Sequence, residues 1–176
     1  MIVGIVCVDK NWAIGKNNDL LFHLKKDMQF FRNTTADSIV VCGYNTLLSF
    51  PGSKPLKGRS TICLCPNEVE RDDCFCIHSF DEMIRLIKEL SKTTNIYIIG
   101  GAMLYQSMLP YYDKIYVNIV DANGAPLTDA DSVVGVVYFP NLDKLSNYEI
   151  ERVFPAIEDE GYKTTLYTYT RKATMD

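Results

Sequence analysis

The sequence has no apolar run long enough to cross a bilayer, no basic cluster, no repeat and no low-complexity tract. A spanning helix needs about 20 consecutive apolar residues, so no helical membrane anchor is expected. The 18 Lys and Arg are scattered and the net charge is −4, which leaves no electrostatic footprint for nucleic acid. No Pro/Ser/Gly-rich linker or charge run divides the chain, and no exposed heptad or repeat suggests self-association. Six cysteines are present, but none in C-x-x-C spacing. Cys7, Cys42, Cys63, Cys65, Cys74 and Cys76 fall mostly in strand-like runs, where a free thiol packs as a small hydrophobe. Neither a metal site nor a disulfide is expected from them. The N-terminal "MIVGIVCVD" is apolar, but it has no basic leader and reaches Asp9 early. It reads as a strand rather than a secretory signal, and the cytoplasm is the expected compartment.

What is present is the composition of one globular domain: 176 residues, 47% hydrophobic and 23% charged. The domain is expected at 1–172, with a short tail at 173–176. "IVGIVCV" (2–8) is a β-branched run of buried-strand type, and "DKNWAIGKNNDLLFH" after it is loop-like. A helix is expected over 24–33, a strand at 38–43 and a short helix before Pro51. Further strands are expected at 60–65, 74–78, 95–99 and 114–120. Ser79 and Glu82 form an S-x-x-E capping box ahead of a helix with an apolar face of Phe80, Met83, Ile84, Ile87 and Leu90. A second short helix follows Gly100-Gly101. "YEIERVF" and "YKTTLYTYTRK" alternate and read as a closing antiparallel pair. The expectation is an α/β fold: a mostly parallel central sheet of about eight strands with an antiparallel C-terminal strand, flanked by about four helices. The helix after the first strand is expected to cross to the next strand as a βαβ unit.

In such sheets ligands bind beyond the carboxyl ends of the strands. The loop after the first strand, the helix over 24–33 and Gly100-Gly101 gather at that rim. In this helix Leu24, Asp27, Met28 and Phe31 share one stripe, so a carboxylate sits within an apolar face. Two readings are open: a buried acid capping a backbone N–H, or an acid in a ligand pocket whose pKa burial raises. Gly100-Gly101 is equally a tight turn or an anion site at a helix start.

Taken in order, several stretches resemble dihydrofolate reductase. "VDKNWAIGKNNDLLFHLKKDMQFF" is similar to that family's first loop and acid-bearing helix, and "VVCGYNTLLSF" to its second strand and G-x-x-T helix. "PLKGR" resembles its P-L-x-G-R turn, "IYIIGGAMLYQSMLP" its I-G-G strand and helix, and "DKIYVNIVD" the following strand. The resemblance implies hydride transfer from NADPH to C6 of dihydrofolate with protonation at N5, in support of one-carbon and thymidylate metabolism. Asp27 would bind the pterin and favour N5 protonation through water, with Phe22 and Asn118 beside it. Ile5, Val6, Cys7, Met28, Phe31, Phe50, Leu56, Ile99 and Tyr105 would line the substrate pocket, although apolar residues are more often plain core. Arg59 would grip the substrate's α-carboxylate with its planar fork of donors. Cys7 and Ile99 would also touch the cofactor, together with Ala13, Ile14, Gly15 and Leu20 of a mobile loop spanning 13–20. So would Gly43, Tyr44, Asn45, Thr46, Leu64, Cys65, His78 and Ser79, and Gly100, Gly101, Ala102, Met103, Leu104 and Tyr105. The family's Gly-Gly bond is typically cis. Trp12 reads as packing.

Four departures from the family pattern stand out. Leu21-Phe22 replaces Pro-Trp, and a phenyl ring cannot donate the hydrogen bond that an indole N–H gives a water near the acid. Asn118 replaces a Thr as the acid's partner. Tyr44, Cys65-Pro66 and Met103 replace phosphate-binding residues, which leaves His78, Ser79 and Asn45 around the 2′-phosphate and predicts weaker discrimination against NADH. "ANGAPLTDADSVVGVVYFP" is longer and more apolar than the family's acidic loop. Altered affinity for diaminopyrimidine antifolates is expected from the Leu-Phe replacement. Two alternatives remain: a pyrimidine reductase of the riboflavin pathway, and a pterin- or nucleotide-binding homologue without catalysis.

Overall fold

A computed structural model describes residues 1–16, 19–20, 22–122 and 136–173. Leu21, part of the 13–20 loop, most of the 122–140 insertion and the end of the tail lie outside the described residues. The strands are β1 (Ile2–Asp9), β2 (Ala13–Lys16), β3 (Asp19–Leu20), β4 (Ile39–Gly43), β5 (Ser60–Leu64), β6 (Phe75–Ile77), β7 (Ile96–Gly100), β8 (Lys114–Asp121), β9 (Val136–Tyr138), β10 (Tyr148–Val153), β11 (Ile157–Asp159) and β12 (Tyr162–Arg171). The helices are α1 (Lys25–Thr35), α2 (Tyr44–Ser49), α3 (Phe80–Leu90) and α4 (Ala102–Ser107).

A run of β-branched residues with almost no polar interruption suits a strand covered on both faces, and β1 is such a strand. It lies mid-sheet, parallel to β7 on one side and β8 on the other. The main sheet runs β10-β12-β8-β1-β7-β4-β5-β6, with β11 paired to β12. All pairs from β8 to β6 are parallel, and β12 turns antiparallel against β8, β10 and β11. The mostly parallel sheet with an antiparallel C-terminal end is therefore present, with β11 as an added short strand. The chain does pass from β1 through α1 to β4, but β7 later fills the position between them. This crossover thus skips a neighbour rather than joining two adjacent strands.

Two local choices fix how the layers meet. Ser79 caps α3, its hydroxyl accepting from Glu82 N–H at 3.4 Å, and Met83, Ile84 and Ile87 enter the core. Gly4 lets Tyr112 lie against β1, since a Cβ there would stand 3.0 Å from the Tyr112 ring. The buried Tyr112 hydroxyl in turn donates to the Tyr105 carbonyl at 3.0 Å.

The loop after β1 is not wholly irregular. β2, β3 and β9 form a separate antiparallel sheet, and Phe139 N–H donates to Trp12 O at 2.8 Å. Trp12 is buried against Phe139 and Tyr169, with ring centroids 6.2 and 6.0 Å away, as the packing reading has it. All six cysteines are free thiols.

Candidate active site

Asp27 lies in the first turn of α1, above the carboxyl half of β1 and β8. Strand register puts Cys7 of β1 beside Asn118 of β8, and both turn toward the acid. Asn118, only 8% exposed, donates from Nδ2 to Asp27 Oδ1 at 2.9 Å. Burial pushes the Asp27 carboxyl above its ordinary value; the Asn118 amide opposes this, the Asp159 charge adds to it and the Cys7 thiol opposes it. Burial, and then the Asp27 charge, raise the Cys7 thiol well above its usual range. A neutral thiol and a carboxylic acid reluctant to ionise therefore share this corner. A carboxyl that keeps its proton more readily than usual suits proton transfer, while the thiol, held neutral, serves it as a hydrogen-bond donor.

The start of α1 has an unusual cap. Leu24, at the N-cap, has no side chain able to accept, and the first-turn N–H groups need partners. Asp159 supplies them from the other end of the chain: Oδ1 accepts from Lys26 N–H at 3.1 Å and Oδ2 from Asp27 N–H at 3.0 Å. A buried capping acid does exist at this site. It is Asp159, which nothing in the sequence singles out, rather than Asp27.

The apolar residues expected around a pterin divide between two levels. Ile5 and Val6 are buried in β1; Phe31 and Ile99 are half-buried against the cluster that holds Ile5. Phe50 and Ile99 both pack against the cluster around Leu47. Met28 is 44% exposed and Leu56 half-buried. Phe22 packs with Cys7 and Leu24 and meets Tyr162 edge-on at 5.2 Å. Arg59 donates from Nε to Thr35 Oγ1 at 3.0 Å, from Nη1 to Lys57 O at 2.6 Å and from Nη2 to Arg32 O at 2.7 Å. Three of its five donors hold the fork in place, which leaves two for a ligand.

On the other side, β4 and β7 end together, with Cys42 opposite Gly100. The Gly100–Gly101 peptide is cis, and Gly100 has φ 124°, a conformation that favours glycine. A Cβ on Gly101 would stand 3.2 Å from Thr46 Oγ1, a tight contact that the glycine avoids where the two chain segments approach. Neither α2, entered at Gly43, nor α4, entered at Gly101, has a side-chain cap, so free N–H groups of both starts meet at this cradle. Leu104 and Tyr105 are buried beneath it, and Tyr105 Oη donates to Ile5 O at 2.8 Å. Ala102 is half-buried and Met103 is 85% exposed. Tyr44 packs by the Cys42–Leu47 cluster, while Asn45 is exposed. Ala13, Ile14 and Gly15 are buried in β2, and Leu20 is exposed in β3.

At the ends of β5 and β6, Leu64 is half-buried and Cys65 buried. His78 is held by Glu70 Oε1 at 3.0 Å and by the Pro66 carbonyl, 3.0 Å from Nδ1. Burial opposes charging of this ring, but Glu70 and the Cys65 and Pro66 carbonyls outweigh it and raise the His78 pKa. Ser79 caps α3 through one accepted bond, which leaves its O–H free to donate. Arg71 also stands at this end, forked on Asp73 and donating to Ser53 O at 2.7 Å. In sequence it looks like part of a solvated "ERDD" surface run.

A family model described as dihydrofolate reductase matches residues 1–171. The chain belongs to the dihydrofolate reductase family. It is 30% identical to a dihydrofolate reductase of Enterococcus faecium over 152 residues, covering 85% of this chain and 86% of that one. It is 28% identical to the dihydrofolate reductase of Bacillus subtilis (strain 168), covering 98% and 95%. A solved structure of dihydrofolate reductase from Enterococcus faecalis, complexed with NADP(H) and RAB-propyl, superposes with a TM-score of 0.80 at 25% identity, covering 98% of this chain and 97% of that one. Family membership sets aside the riboflavin-pathway reading and bears out the motif-by-motif resemblance.

Proposed function

We infer that the protein reduces 7,8-dihydrofolate to 5,6,7,8-tetrahydrofolate, and that Asp27 assists protonation of N5. NADPH, when bound, supplies the hydride for C6. The observation that carries the role of Asp27 is a carboxyl raised by burial and held by the Asn118 amide and the Cys7 thiol. A carboxylate has about four lone-pair sites; Asn118 and the Cys7 thiol take two, which leaves about two for the pterin amino group and N3 side. Water carries the proton onward to N5. Asn118 keeps the carboxyl oriented, while Phe22 contributes bulk and excludes solvent.

NADPH would lie across the cradle of Gly100, Gly101 and Thr46, where the uncapped start of α4 turns backbone N–H groups toward its pyrophosphate. His78 supplies positive charge toward the 2′-phosphate in place of the arginines that Tyr44 and Met103 displace. Arg59 holds the substrate's α-carboxylate with its two remaining donors. We place the domain at 1–172, and read the protein as a cytoplasmic monomer that serves one-carbon metabolism.

The test is dihydrofolate-dependent NADPH oxidation by purified protein, with Asp27→Asn beside it. Losing a proton-transfer group costs about 10²–10⁴-fold, so the variant should fall by at least about a hundredfold at neutral pH. A folded, NADPH-binding wild type that does not turn over dihydrofolate would overturn the reading and leave a binding protein on this fold.

A further inference from the structure

We propose that Asp159 is a positioning residue for catalysis: it holds the first turn of α1 by two backbone N–H groups, one of them Asp27's own, and so fixes the carboxyl that serves N5. This rests on the role of Asp27 inferred above. Helix starts are ordinarily capped by the residue at the N-cap itself, through Ser, Thr, Asp or Asn. Here Leu24 occupies that position, and the cap comes from 132 residues away. Asp159 is 3% exposed, so its charge is balanced by protein contacts rather than by water.

Asp159 is delivered by the β11–β12 hairpin, whose register sets it opposite Tyr162. Glu160 and Gly161, with φ 50° and 83°, make the tight two-residue turn between them. The same hairpin grips the catalytic segment twice more. Lys26 Nζ donates to Glu158 O at 2.6 Å, and Tyr162 meets Phe22 edge to face. Three residues of one hairpin, through four contacts, thus bracket residues 22–27.

A local Ser at position 24 would cap α1 for stability alone. The remote acid does something that an uncharged cap would not: it brings a second negative charge onto the catalytic turn. Asp27 is faced by Cys7 from β1, Asn118 from β8, Tyr105 from α4 and Asp159 from β11. Among these, Asp159 is the one whose ionised form opposes ionisation of Asp27, and like charges at one site favour retention of the proton.

The experiment compares wild type with Asp159→Asn and Asp159→Glu, with Asp27→Asn as the reference. It reads the pH profile of single-turnover hydride transfer, the KM for NADPH and the melting temperature. Asp159→Asn removes the charge, so the pH at which the rate falls should move down by about half a unit or more. Asp159→Glu keeps the charge but displaces the turn by a methylene. Its midpoint should stay at the wild-type value while the rate drops several-fold, with the NADPH KM unchanged. A purely structural cap would lower both melting temperatures and leave both midpoints in place, and that result overturns the proposal. Should Asp159→Asn fail to fold, a wild-type rate in Asp159→Glu overturns it alone. An active Asp27→Asn would sink the reading of Asp27 itself, a different outcome from an unmoved Asp159→Asn.

Discussion

At the scale of single residues, Asp27 sits where burial and a second acid both resist its ionisation, and this has a stability consequence. A carboxyl whose folded pKa is raised contributes stability that is full below the ordinary carboxylate value, about 3.9, and is lost as pH rises through the folded pKa. At pH 7 to 8 the charged form is therefore a liability to the fold. Asp27→Asn should be more stable than wild type there, by roughly 0.5–2 kcal/mol, the scale of active-site trade-offs. Urea denaturation at pH 7.5 and pH 4 checks this: the gain should shrink at the lower pH, and an equal gain at both would refute the electrostatic origin. His78 runs to the same sign with a different readout. Its positive charge is present below its raised pKa and disappears as pH rises through it. The ratio of KM for NADH to KM for NADPH should fall between pH 6 and pH 9, and His78→Gln should flatten that trend. Asp27 was legible in the sequence because an acid broke an apolar helical stripe. Asp159 was not, since one more acid in "EDEGY" looks like any hairpin turn.

At the scale of elements, the difference between α3 and α1 shows what local pattern can and cannot reveal. The cap of α3 lies three residues from its donor, so the S-x-x-E signature, the apolar face and the helix limits are all readable from a short window. The start of α1 depends on a hairpin folded from residues 157–162 and has no signature of its own. The small sheet of β2, β3 and β9 has no readable signature for a related reason. Strands of four, two and three residues are too short for a period of two to emerge from a polar loop. The two helices should differ under substitution accordingly. Ser79→Ala removes one long hydrogen bond, costs about 0.5–1 kcal/mol and leaves the hydride-transfer rate unchanged. Thermal melting and steady-state turnover on the same sample check this, and a loss of turnover without a loss of stability would give Ser79 a direct role in cofactor binding.

At the scale of the whole molecule, fold class follows from composition and element order, but strand order does not. The position of β7 between β1 and β4 is a long-range pairing that no window of sequence contains. Strand order also decides which strands carry unpaired edges, and so bears on association. Among the described residues the main sheet ends at β6 and at β10, with the three-residue β11 sharing the edge beside β10. β6 has only three residues, too short a template for a second chain. β10 is longer, and exposes Ile150 and Val153, but a register break between Ile150 and Arg152 interrupts its ladder. Glu149, Glu151 and Arg152 line the same strand, and Arg152 folds over the Phe154 ring at 4.2 Å. Short length, bulges and charge are the devices that keep sheet edges from pairing. Sedimentation equilibrium should therefore give one species of monomer mass over a wide range of protein concentration, in low and high salt alike. If mass rises with concentration, Ile150→Lys should abolish the rise, because edge pairing through β10 would place that side chain in the new interface. A rise that survives Ile150→Lys would assign association to another surface and remove β10 from the argument.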